Sequence, residues 1–239
     1  MTIEPTPERS SRKRLGAAAL ALLGVVALTG VGTFATFNAQ TKNPGNLFSD
    51  GTLVLSNTKD GGTACLSTGG GTTDVNSNDT CDQLMNLTVR KPGDSSTTKL
   101  TIKNEGSLAA SALKVFSAAC TNADASGETY HGTGNPCSQI QLYLQLYLQQ
   151  YTDSSFSTPS ACLYGGATVA NTCDFSDATK TLAAFQSAYG SAAGGLGIGS
   201  GLTTGASRYV KVGIMLPSAS NNSFQGRQAT FDLTWYAEQ

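Results

Sequence analysis

Six cysteines and a single histidine bound the chemistry open to this chain. The cysteines are Cys65, Cys81, Cys120, Cys137, Cys162 and Cys173, and the histidine is His131. A zinc site needs ligands grouped at short, specific spacing. No CxxC pair occurs, so the cysteines do not read as a metal cage. A Ser-His-Asp or Cys-His catalyst would have to use His131. That residue lies in Thr129-Tyr130-His131-Gly132-Thr133-Gly134, between Cys120 and Cys137, where a surface histidine in a closed loop is expected. Neither GxSxG nor HExxH is present. A glycosidase-like carboxylate pair stays open on sequence grounds. Yet Asp50, Asp60, Asp74, Asp79, Asp82, Asp94 and Glu105 fall mostly in turn-rich stretches, where solvation accounts for them. Asp74-Val75-Asn76-Ser77-Asn78-Asp79 alternates oxygen ligands as a calcium loop does, without the glycine and terminal Glu of an EF-hand. The expectation is a protein that is not an enzyme and needs no cofactor or metal.

The cysteines make better sense as cross-links. None lies in the N-terminal segment, and an even count behind an export signal reads as a disulfide framework. Six cysteines admit many pairings. The sequential one, Cys65–Cys81, Cys120–Cys137 and Cys162–Cys173, is favoured because each pair closes a Gly/Ser/Asn-rich loop whose flanking strands already approach each other.

The export signal is read from order and composition. Arg12, Lys13 and Arg14 precede an apolar run from Leu15 to Val31, and no charged residue follows until Lys42. Thr33 and Ala35 are small residues at −3 and −1 of a cut after Ala35, and a cut after Thr36, before Phe37, is the close alternative. The competing reading is an uncleaved anchor, since about 20 apolar residues span a bilayer. Gly24, Gly30 and Gly32 dilute the apolar run, and a cleavage-like site ends it, so cleavage is expected. The domain plan is then a signal peptide at 1–36 and one domain at 37–239. That length suits a single all-β domain with a sizeable core.

Period-two alternation dominates the rest. From Ile140 to Gln149, Ile140, Leu142, Leu144, Leu146 and Leu148 share one face, and Gln141, Tyr143, Gln145, Tyr147 and Gln149 the other. That is a strand with one buried and one polar face. Further strands are expected at Thr52–Ser56, Leu84–Arg90, Thr98–Lys103, Ala112–Ala118, Tyr209–Leu216 and Ala229–Ala237, with a turn at Lys91-Pro92-Gly93-Asp94. One helix is expected, capped by Ser176 or Asp177, with Leu182, Phe185 and Tyr189 on one face and Gly190 as its stop. Ser191–Gly201 reads as a flexible glycine-rich loop, since neither GxxxxGK[ST] nor a GxGxxG opening a helix is present. One-sided strands between turn-rich loops imply an all-β fold: a two-sheet antiparallel, jelly-roll-like sandwich with one short helix and long disulfide-closed loops. Charge is sparse, at 13% with a net of −1, so the chain lacks the basic surplus that nucleic-acid binding uses.

Three segments carry a family resemblance. The first is Gly30-Val31-Gly32-Thr33-Phe34-Ala35-Thr36-Phe37-Asn38, followed by Phe48-Ser49-Asp50-Gly51-Thr52-Leu53-Val54-Leu55. The second is Val89-Arg90-Lys91-Pro92-Gly93-Asp94 with Leu100-Thr101-Ile102-Lys103-Asn104-Glu105-Gly106. The third is Asn221-Asn222-Ser223-Phe224-Gln225-Gly226-Arg227, then Phe231-Asp232-Leu233-Thr234-Trp235-Tyr236-Ala237-Glu238-Gln239. In this order, along nearly the whole chain, they resemble the TasA/camelysin (CalY) family of exported proteins. The resemblance implies a jelly-roll sandwich, a signal cut by a SipW-type signal peptidase, and a secreted subunit of biofilm-matrix fibres. It further implies that the mature N-terminal segment leaves its own domain and adds as a strand to the next copy. Here that segment is 37–47, and the donated strand is Phe37, Asn38, Ala39, Gln40, Thr41, Lys42 and Asn43, ended by Pro44, which cannot donate a ladder bond. The expected partners are copies of the chain itself and the signal peptidase, with no nucleic acid and with membrane contact only through the signal. The family's metalloprotease label is not carried over, because no zinc motif matches. The three cysteine pairs depart from the family pattern. A monomeric or membrane-anchored surface-binding protein, with the Tyr143/Tyr147 and Gln face as its contact, is the alternative function.

Overall fold

The computed structural model describes residues 50–70, 76–85, 91–118, 120–135, 137, 144–218 and 220–239. The chain divides into Met1–Asp50 and Gly51–Gln239, and every strand named below belongs to the second unit. The signal, its cleavage site and the segment 37–47 lie outside the described residues, as do 86–90 and 140–143 of two expected strands.

Alternation builds the first sheet. Its strands are β1 (Leu55–Lys59), β2 (Ala64–Leu66), β3 (Ser95–Asn104), β6 (Gln145–Tyr151), β7 (Pro159–Tyr164) and β11 (Ser207–Met215), in the order β2-β1-β3-β11-β6-β7, with every pairing antiparallel. On β3 the side chains of Thr98, Leu100, Ile102 and Asn104 are buried, while Lys99 between them is exposed. On β11, Val210, Val212 and Ile214 are buried. The second layer is a ribbon. β4 (Ala112–Phe116) and β5 (Cys120–Asp124) run antiparallel to β13 (Thr234–Glu238) and β12 (Arg227–Phe231), and β10 (Leu196–Gly197) pairs with the other side of β4. The chain crosses from the first sheet to the second between β3 and β4, returns at β6, and crosses again before β10 and after β11. This is the expected jelly-roll-like sandwich.

The core lies between the layers. Leu100, Ile102, Leu146, Leu148, Val210 and Val212 of the first sheet meet Leu113 and Val115 of the second, with Leu182 and Phe185 from the helix α1 (Leu182–Ala188). Each fully buried Leu, Ile, Val or Phe contributes about 1.5–3 kcal/mol of transfer free energy. The cap of α1 differs from expectation. Thr181 takes it, its hydroxyl accepting the Ala184 N–H at 3.2 Å. Ser176 instead donates to Asp174, and Asp177 accepts the Thr179 N–H and hydroxyl in a preceding turn.

Three other expectations are corrected. Ala229–Ala237 is two strands, broken at Asp232–Leu233. The glycine-rich loop Ser191–Gly201 is anchored: Ile198 is fully buried, Leu196 pairs with Val115, and the Arg208 guanidinium donates to the carbonyls of Ser200 and Gly201 at 2.8 and 2.9 Å. The polar face of β6 is covered. Gln145, Tyr147 and Gln149 are all buried: Gln149 under the hairpin of β8 (Gly166–Val169) and β9 (Thr172–Asp174), Tyr147 against Phe175, and Gln145 against the Asp177 carbonyl. The Gln149 amide donates to the carbonyls of Gln150, Ala161 and Asn171, and its oxygen accepts the Cys173 N–H at 2.5 Å. A glutamine can be buried when its amide is satisfied in this way, so polarity alone did not mark the solvent face.

Two buried phenols give the fold an alkaline limit. Burial pushes the Tyr147 hydroxyl up to about 12, helped by nearby Tyr151. Burial, with Tyr189 and Asp177 adding to it, does the same for Tyr164, whose hydroxyl donates to the Thr181 carbonyl at 2.8 Å. A folded-state value above the unfolded one, near 10, means that the protonated phenol favours folding. That stabilisation is complete below about pH 10 and disappears as pH rises towards about 12. The expected result is a melting temperature that is flat through neutral pH and falls steeply above about pH 10, with a shallower fall in Tyr147→Phe. Melting curves by circular dichroism across that range check it. Equal slopes in the two proteins would refute the assignment to Tyr147.

Candidate functional site

The structure pairs all six cysteines: Cys65–Cys81, Cys120–Cys137 and Cys162–Cys173, separated by 16, 17 and 11 residues. Loops of this size correspond to about 3 kcal/mol each in the chain-entropy picture, since the cross-link restricts the unfolded chain. Three disulfides and no free cysteine fit an oxidising compartment. Among the described residues no helix is long and apolar enough to cross a membrane.

His131 acts as a clasp. Its Nδ1 lies 2.7 Å from the Gly226 carbonyl, so that nitrogen carries the proton and donates. Asp124 lies 3.9 Å from the same nitrogen and pairs with Arg227. Gly132 and Gly134 donate to the carbonyls of Gln225 and Ser223, so the Cys120–Cys137 loop is bound along the 221–226 turn. In the loop with alternating oxygens, the Asn78 amide donates to the Leu66 carbonyl and Asn76 donates to the Leu53 carbonyl. Those side chains tie the loop to β2 and to the segment just before β1. Among the described residues no group of three or more His, Cys, Asp or Glu side chains could hold a metal ion.

Strand edges are where this fold can recruit another chain, because an edge presents unpaired N–H and C=O groups. The described edges differ in how they are protected. β2 is 3 residues long and β10 only 2. β7 begins with Pro159 and is joined to β9 by Cys162–Cys173. The ribbon strands β5, β12 and β13 are 5 residues each and paired on one side only among the described residues, and of these β12 and β13 follow each other in the chain and carry apolar side chains inward. Phe231, Leu233, Trp235 and Ala237 pack against the core from this edge yet remain partly exposed. The Trp235 Nε1 is buried and has no acceptor among the described residues. Tyr236 points the other way and is 37% exposed. The Lys114–Glu238 ion pair at 2.6 Å fixes the end of β13 on β4. The result is a half-covered apolar strip with a free main-chain edge, able to accept an extended segment. Alternation marked Phe231, Leu233 and Trp235 as inward-facing, but nothing in the sequence distinguished an edge strand from a central one.

The candidate donor residues Phe37, Asn38, Ala39, Gln40, Thr41, Lys42 and Asn43, and the cleavage residues Ala35, Thr36 and Phe37, lie outside the described residues. A scan against protein-family models finds no match for this chain, and a search of curated proteins finds none either.

Proposed function

We propose that the chain is a secreted structural subunit of extracellular, biofilm-matrix filaments, joined by donation of its N-terminal strand to the next copy. The observation that carries the reading is the one-sided β12–β13 edge with its half-covered apolar strip. The occupant is Phe37–Asn43 of a second copy, freed when a SipW-type signal peptidase cuts after Ala35 or Thr36. Strand addition satisfies the edge through main-chain bonds and reads the occupant through alternate side chains. Phe37 is the donor's aromatic anchor, and Pro44 stops the ladder. The resemblance to the TasA/camelysin family supports the same assembly, and the disulfides fit the same compartment. The role is structural and not enzymatic. The alternative contact face of a monomeric surface protein has less support, because Tyr147 and its glutamine neighbours are buried.

A photo-reactive side chain at position 39 tests the docking site in the secreted protein. Cross-links from one copy to residues 227–238 of another, on β12 and β13, read by mass spectrometry of mixed isotope-labelled subunits, are expected. Links confined to the same chain, or to other strands, would rule this edge out.

A further inference from the structure

We infer that the outer face of the first sheet carries a cleft for an acidic sugar unit of a polysaccharide. The cleft has a volume of about 260 Å³ and lies between two turns that rise from the sheet. One wall is the β1–β2 turn at Asp60-Gly61, and the other is Ser154-Ser155-Phe156 from the β6–β7 loop. Thr58 and Thr101, paired across β1 and β3, form the floor, with Lys99 beside them. Sites for drug-sized ligands usually measure about 300–1,000 Å³. A smaller cleft lined by hydroxyls and one aromatic ring suits a single ring of a longer polar chain.

Two features turn this from a dent into a site. The first is charge. Lys99 and Lys211 stand directly opposite each other on β3 and β11, an arrangement that costs energy when like charges are left alone. Neither lysine belongs to any of the described ion pairs. Each ammonium lies over a ring instead, Lys99 over Phe156 at 5.3 Å and Lys211 over Tyr151 at 5.0 Å. The nearby acids, Asp60 in the cleft wall and Asp153 in the loop behind it, form no ion pair with either ammonium. Asp60 turns Oδ1 to the Lys99 backbone N–H at 2.9 Å, and Asp153 accepts N–H groups from Ser155, Ser157 and Thr158 within its own loop. A carboxylate arriving from outside would relieve the lysine pair.

The second feature is the placement of the ring. Phe156 adopts φ +58°, a left-handed conformation unfavourable for a bulky residue that persists only where its surroundings impose it. The Asp153 bonds impose it here. They fold the loop back so that Phe156 meets Tyr151 and Tyr209 edge-on, with centroids 5.5 and 5.8 Å away. The chain therefore spends strain to hold an aromatic ring at the mouth of a hydroxyl-lined, lysine-flanked cleft. With a net charge of −1, the protein has no general attraction for polyanions, so capture of one must rest on a local site.

The test uses the secreted, disulfide-bonded protein, with tetragalacturonate as the probe and a neutral galactose tetramer as the control, by calorimetry at low salt. Saturable binding of the acidic probe is expected, at least tenfold tighter than of the neutral one. Lys99→Gln/Lys211→Gln should weaken it at least tenfold and Phe156→Ala severalfold, while Lys180→Gln on a different part of the surface leaves it unchanged. Amide shifts in NMR spectra of the native protein should cluster at 58–61, 99–101, 154–156 and 209–211, which decides the matter even if a variant does not fold. Absence of saturable binding, equal affinity for the neutral sugar, shifts elsewhere, or an equal loss in Lys180→Gln would each overturn the proposal. So would binding of dextran sulfate alone.

Discussion

Deleting Phe37–Asn43 from the mature protein is expected to abolish filaments and leave a folded monomer. The fold survives because every described strand, the core and all three disulfides lie within Gly51–Gln239. Under the proposed strand donation, assembly does not survive, because the deleted residues would supply both parts of the junction. About four ladder bonds contribute roughly 1 kcal/mol net each. Burial of Phe37 adds about 2 kcal/mol. Together these amount to about 6 kcal/mol, and each 1.4 kcal/mol is tenfold in affinity, so the junction weakens by about four orders of magnitude. Electron microscopy shows whether filaments persist, and sedimentation velocity gives the size of what remains. A truncated protein that still forms filaments would end the strand-donation reading. A reduced sample run in parallel separates loss of the donor from loss of the cross-links.

Asn104→Ala is expected to destabilise the domain by about 3–5 kcal/mol, a large share of the roughly 5–15 kcal/mol typical of a folded domain. The side chain is fully buried at the end of β3. Its amide donates to the carbonyls of Leu108 and Leu202 at 2.8 and 2.9 Å, and its oxygen accepts the Gly106 N–H at 3.0 Å. Leu202 keeps a second donor in the Ala110 N–H, so alanine leaves the Leu108 carbonyl and the Gly106 N–H as the orphans. Each buried orphan costs about 1–3 kcal/mol beyond the lost bond. Asn104→Asp should be worse at neutral pH despite its shape, since a carboxylate would face two carbonyl oxygens it cannot donate to. Urea unfolding of the three proteins measures both effects. A cost under about 1 kcal/mol for alanine would show that water replaces the lost bonds.

Asn104 also shows where sequence reading reached its limit. The strand expected at Thr98–Lys103 ends within one residue of its expected end, at Asn104, and the Asn and Gly that follow favour turns. What the asparagine does there depends on Leu202, 98 residues away, which no local pattern reveals. The strands themselves were legible wherever one face was apolar and the other polar: β3, β4, β6 and β11 fall within or near their expected spans. The short strands β2, β5, β7, β8, β9 and β10 were not. They are rich in Ser, Thr, Gly and Ala, and their pairing comes from neighbours and not from their own periodicity. The six cysteines were legible as a framework paired in sequential order over 16, 17 and 11 residues, but only Cys162–Cys173 joins two strands, since Cys81 and Cys137 lie outside the described strands. The clasp made by His131 and the strained ring of Phe156 were invisible, because each depends on a loop folding back on a distant segment.

By itself, then, the sequence determined the fold class, the inward faces of the long strands and the cysteines as cross-links. These properties follow from local alternation and composition, which act over a few residues. Only the tertiary structure decided which strand became an edge, which polar face was covered, and which lysines were left side by side outside the described ion pairs. Those outcomes depend on sheet order and on loops that return to the sheet. In this chain β12 and β13 became an open edge because β4 and β5 cover one side of them only, among the described residues.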